Sequence, residues 1–252
     1  MGLFDFLKKG SNPPPAKGAT PLSKKVAGPA KLVSDKRAQA YDRSEAIRQL
    51  AELETAEAAE ALLKRFTFTI DPSITDQEEK EAAYEGVVRV GEAAVPAVLA
   101  FCQRAEVLTW PLRMLRAILS DDAYKAELLG LAESFDTEYS RNVEPKLQVV
   151  AALEEVAGED VRLAVERFLD DVNETVRFHA VQSTFAQAQK QSADALVRLL
   201  ESEESVRIKN KICEGFILKE WAVPSELLDQ AKKAMSDVSD FRLRDDGKFS
   251  RR

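Results

Sequence analysis

From about residue 39 to residue 235, apolar residues recur at helical spacing almost without pause. Turn signals interrupt them every 12 to 18 residues, around Thr55, Asp71-Pro72, Gly91, Thr109, Asp121, Asp136, Gly158, Val172-Asn173, Gln191, Ser205 and Pro224. Helices that short are marginal alone in water and must be held by packing. No stretch alternates with the period of two that a half-buried strand requires. The segment is rich in Ala, Leu, Glu, Arg and Lys, which lose least on entering a helix. The pattern predicts about a dozen short helices joined by short turns, an all-α fold. Thr55, Asp121, Ser192 and Ser225 are expected to cap helix starts.

The helices also repeat. A basic residue stands near the start of every second one: Arg43, Lys80, Arg113, Lys146, Arg177 and Arg207, at spacings of 37, 33, 33, 31 and 30. The first spacing is longer because TFTIDPSIT (67–75) adds a loop. Apolar residues follow at three, four and seven positions: Ala46, Ile47, Leu50; Ala83, Tyr84, Val87; Val149, Val150, Leu153; and Ala180, Val181 with Phe185 one step late. That spacing marks one face of a helix. After Arg113 it weakens to Ala117 and Ile118. After Arg207 it fails, and Ile208, Ile212 and Phe216 suggest a rotated helix. The partner helices are equally amphipathic, as in Ala59-Leu62-Leu63-Phe66 and Val161-Val165-Phe168-Leu169. One such pair cannot cover both faces, so neighbouring pairs must stack.

The segments RLAVERFLDDVNETVRFHAVQSTFAQ (162–187) and ALVRLLESEESVRIKNK (195–211) resemble HEAT units: a leucine-rich helix, an acidic turn at Asp170-Asp171 or Glu203-Glu204, then Val176-Arg177 or Val206-Arg207 opening the next helix. AVPAVLAFCQRAEVLTWPLRMLRAI (94–118) keeps Pro96 and the Leu112-Arg113 pair. The resemblance covers about residues 40–220. It implies a right-handed α-α superhelix, a HEAT-like solenoid of about six helical pairs, in which the turn acids and Asp171, Arg177 and Arg207 are scaffold. It also implies that the second helix of each pair faces the concave side. There the register places Arg89, Trp110, Leu115, Arg116, Gln148, His179 and Gln182 as candidate partner-binding residues. Around Trp110, Leu115 and Ile118 the row turns apolar, and large apolar and Arg residues favour partner contact.

The ends differ from the body. Residues 1–40 carry a net +6 and the remainder −13. Five of the ten prolines fall between residues 13 and 29. Residues 1–38 therefore read as a basic, Pro-rich disordered tail, 39–235 as the solenoid and 236–252 as a tail that trails free. The first nine residues hold Leu3, Phe4, Phe6 and Leu7 ahead of Lys8 and Lys9, a short amphipathic docking motif for a partner groove or an anionic membrane surface.

Catalytic signatures are lacking. His179 is the sole histidine, and there is no phosphate loop, nucleophile elbow or His-Glu zinc motif. The acidic pairs, such as Asp121-Asp122 and Glu154-Glu155, are adjacent in sequence and do not converge across a cleft. Cys102 and Cys213 read as reduced, buried thiols. No metal and no cofactor is expected, and an acidic body repels nucleic acid. The sequence thus predicts a cytoplasmic, monomeric, non-enzymatic adaptor or scaffold that holds a protein or peptide. The alternative implied by the resemblance is an accessory or lyase-like factor acting on a cofactor protein, with a HEAT-like DNA glycosylase further behind.

Overall fold

The computed structural model describes residues 23–252. It is mostly helical, and the chain divides into two compact units, one ending at Ser120 and one running from Asp121 to Arg252.

In the first unit α1 is Lys24–Val33, α2 Ala40–Leu53, α3 Ala56–Leu63, α4 Ser73–Val90, α5 Val95–Cys102 and α6 Thr109–Ile118. Helices two apart in the chain lie side by side: α2 on α4, α4 on α6, and α3 on α5. The predicted stripes are the buried ones. Ala46, Ile47 and Leu50 face inward, as do Ala83 and Val87, and Leu62 and Leu63 oppose them. The approach of α4 to its neighbours is close. A Cβ on Gly86 would lie 2.8 Å from both Ala51 Cβ and Leu62 Cδ1. Thr55 caps α3 by accepting from the Ala58 N–H at 3.2 Å, as expected.

Helix α1 corrects the reading of residues 1–38. Val26, Ala30 and Val33 are buried at i, i+4 and i+7, and α1 packs on α2 and α3. Gly28 and Pro29 within it mimic a linker in composition. Three inward apolar side chains on one face outweigh their poor helix propensity. The docking motif Leu3, Phe4, Phe6 and Leu7 lies outside the described residues.

In the second unit α7 is Asp121–Glu133, α8 Glu144–Ala152, α9 Glu159–Arg167, α10 Glu174–Ala186, α11 Ala193–Ser202, α12 Val206–Leu218 and α13 Leu228–Ala234. Again α7 packs on α9, α8 on α10, α10 on α12 and α11 on α13. Ile208, Ile212 and Phe216 are fully buried, so α12 is rotated as its sequence suggests. The segment expected to trail free is ordered instead. Strand β1, Phe241–Leu243, pairs antiparallel with β2, Phe249–Arg251, and β2 packs against α12. Phe249 stacks on Phe216 with ring centroids 5.3 Å apart, and Trp221 and Phe185 complete the cluster. Without this hairpin the last helix pair would leave that aromatic face in water. The two strands are short, and aromatic side chains at their inward positions hold them.

The aligned basic residues divide into two kinds. Lys146 reaches Asp171 at 2.7 Å, with both side chains buried. Arg177 forks onto Glu203 at 2.7 and 2.9 Å and donates to the Asp171 carbonyl at 2.9 Å. Lys209 grips Asp237 at 2.8 Å. These are three rungs of one ladder in the second unit. The first two acids also receive backbone N–H groups of their own turns: Asp171 from Asn173, and Glu203 from Glu204 and Ser205. The third rung is Lys209, two residues past the aligned Arg207, because α12 is rotated. In the first unit the inserted loop turns the ladder into a branched network. Glu79 accepts from both Arg43 and Arg65, and Asp76 from Arg65 and Lys80. Arg65 is fully buried, its guanidinium 4.6 Å from the Phe68 ring. Arg113 and Arg207 are exposed and join neither.

Cys102 and Cys213 are buried free thiols, and burial pushes each up to about 12. Among the described residues no helix is long and apolar enough to cross a membrane.

Candidate functional site

The residues singled out from the sequence fall into both units. In the first, Trp110 is half-buried at the start of α6 and packs on Phe66 and Tyr84, with centroids 5.4 and 5.9 Å away. The Arg113 guanidinium stands 4.6 Å from both the Tyr84 and the Trp110 ring and meets Glu81 at 3.3 Å. Arg89 is exposed and lies 3.9 Å from Glu54, and Arg116 is exposed. Leu115 is not on this surface. It is fully buried with Leu108, Leu112 and Met114. The buried stripe runs 108, 112, 115 and Arg113 lies off it, so the spacing of the basic residues gives this helix the wrong rotation and Leu115 belongs to the core. The weak pattern of the third pair reflects that rotation.

In the second unit, Gln148 on α8 donates to Glu144 at 2.8 Å along its own helix. His179 on α10 meets the Phe178 ring edge-on at 5.9 Å. Gln182, one turn on from Phe178, lines a groove of about 500 Å³ between α10 and α12.

This groove is the feature in which apolar surface and charge come together. Its floor is Phe185, Ala186 and Ile217, and Leu218 stands beside it, 79% exposed. The floor exists because residue 215 is glycine. A Cβ there would lie 2.1 Å from Phe185 Cε2, so the ring rests on the α12 backbone. Phe185 is held from behind by Phe216 and Trp221, at 5.9 and 5.5 Å. The rim carries Lys211, Lys219 and Arg251 against Glu154 and Glu214. Arg251 pairs with Glu214 at 3.2 Å and Glu154 accepts from Ser183 at 3.2 Å. Lys211 lies 5.8 Å from the Phe178 ring. Among the described residues neither Lys211 nor Lys219 forms an ion pair.

Sequence reasoning reached Gln182 but missed Phe185 as a floor, Leu218 and the two lysines. A signal was present. Leu218 follows the buried Phe216 by two residues, about 200° around the helix, so a large aliphatic side chain sits opposite the core stripe. The groove itself depends on the absence of one Cβ at Gly215, which no periodicity reveals.

No protein-family model matches the chain, and no curated protein does. Among solved structures, one described as "Computational Design of Self-Assembling Cyclic Protein Homooligomers" is similar at 18% identity, covering 84% of this chain and 70% of that one, with a TM-score of 0.14. A superposition that poor carries no argument about fold or assembly.

Proposed function

We propose that this chain is a non-enzymatic adaptor of the HEAT-like solenoid kind, a right-handed stack of helical pairs that holds a protein or peptide partner in the cytoplasm. The alternation of neighbours two helices apart and the ladder Lys146–Asp171, Arg177–Glu203, Lys209–Asp237 support the repeat reading. The observation that carries the partner reading is the groove between α10 and α12. It combines an aromatic floor, an adjacent Leu218 exposed to 79% and a charged rim. A large aliphatic side chain held in water beside a preformed apolar floor is a contact surface awaiting cover. The Trp110–Tyr84–Arg113 cluster supplies the residue types that anchor interfaces and is a second contact candidate.

The test is replacement of Leu218 by Asp in the full chain. A partner retained by the wild type should be lost from the variant while the melting temperature stays within a degree or two, since exposed positions contribute little to folding. Retention of the same partner at the same strength would contradict the assignment.

A further inference from the structure

The rim says what kind of segment the groove takes. The body after residue 40 carries −13, yet this groove presents two lysines without a carboxylate partner among the described residues. Of its two acids, Glu214 pairs with Arg251 at 3.2 Å, and neither Glu214 nor Glu154 forms an ion pair with Lys211 or Lys219. An occupant that buries Leu218 and the Phe185 floor also draws Lys211 and Lys219 out of water. Cations made drier in that way need an opposite charge beside them.

We infer that the groove binds an amphipathic peptide segment whose apolar side chains are flanked by Asp or Glu. The apolar side chains lie over Phe185, Ile217 and Leu218, and the carboxylates pair with Lys211 and Lys219. This rests on the groove being the partner surface and adds the partner's chemistry. A phosphate-bearing strand or an anionic bilayer would answer the lysines. Neither fits as well: a phosphate-bearing strand brings no apolar side chains to Phe185, Ile217 and Leu218, and a bilayer surface does not reach Phe185, only 6% exposed beside Leu218 at 79%.

The experiment selects short displayed random peptides on the immobilised full chain. Recovered peptides are then titrated against wild type, Leu218→Asp, and the double variants Lys211→Glu with Lys219→Glu and Lys211→Gln with Lys219→Gln. Anionic and neutral phospholipid vesicles form a parallel arm. All three positions are exposed or half-exposed, and unchanged melting curves verify folding. The recovered peptides should pair Leu, Phe or Trp with Asp or Glu. Leu218→Asp should weaken them roughly tenfold or more. The Lys→Glu pair should weaken them by a similar factor, the Lys→Gln pair by less, and wild-type affinity should fall as salt rises.

Peptides lost from Leu218→Asp but indifferent to both lysine variants, or carrying net positive charge, would overturn the carboxylate inference and leave the groove standing. Peptides indifferent to Leu218→Asp, or no peptides at all, would overturn the groove as well. Lysine-dependent binding of anionic vesicles in place of peptides would assign it to a membrane surface instead.

Discussion

At the scale of single residues, two small side chains set what large ones can do. Gly86 lets α4 close on α2 and α3, and Gly215 lets the Phe185 ring lie on α12. Alanine at 215 would gain about 1 kcal/mol of helix propensity. It would also drive a methyl group into a ring that Phe216 and Trp221 keep from retreating. Overpacking of this kind costs about 1–3 kcal/mol, and a clash with three ring atoms belongs at the upper end. Gly215→Ala should therefore destabilise the second unit by roughly 1–2 kcal/mol in denaturant unfolding. Adding Phe185→Leu should restore part of that loss. A stabilised Gly215→Ala would show that the ring contact is not tight. The groove floor should change in the same variant, because Phe185 is both core and lining.

At the scale of elements, the amphipathic stripes were legible because burial obeys helical periodicity. Ala46-Ile47-Leu50, Val149-Val150-Leu153 and Ile208-Ile212-Phe216 are inside as read. The spacing of charged residues does not report the register in the same way. Lys146 and Arg177 are rungs, but Arg113 and Arg207 lie over aromatic rings at the exposed surface, beside Glu81 and Glu174, and the true third rung is Lys209. A basic residue satisfies a turn only if its helix is rotated to reach it, and spacing alone does not report rotation. Leu115 is in the core rather than on the surface for that reason. Helix α1 was hidden by Gly28 and Pro29, and the hairpin by strands too short to show alternation.

The rungs also make a quantitative claim. Asp171→Asn removes the partner of a buried ammonium and should cost about 3–5 kcal/mol. The measurement is the urea midpoint, and a loss below 1 kcal/mol would mean that water reaches Lys146. Replacing Lys146 and Asp171 together by Met and Leu should recover much of the loss, since a buried pair exchanged for apolar side chains is often neutral.

At the scale of the whole molecule, the acids that hold turns couple stability to pH. Burial alone would raise the Glu203 carboxyl, but Arg177 and the Ser205 N–H outweigh it and hold it below the usual carboxylate range. Asp76 behaves likewise: burial opposes, while Lys80, Arg65 and the Ile70 N–H prevail. A carboxyl held lower in the folded than in the unfolded chain contributes stability above its unfolded value, near 4, and loses it as pH falls through the folded value. Melting temperature should thus be flat above about pH 5.5 and fall steeply below about pH 4. Glu203→Gln should lower the plateau and shallow the fall. An unaltered acid limb in that variant would mean that other carboxylates set it.

What the fold is for depends on one surface, α10 against α12, and hydrogen–deuterium exchange reads that surface in the intact chain. With a partner retained by the wild type bound, amides of residues 182–186 and 214–219 should slow markedly. Those of the Trp110 cluster should slow less or not at all. Protection confined to residues 81–89 and 110–116, or no protection anywhere, would contradict the assignment of the groove as the site where this protein meets its partner.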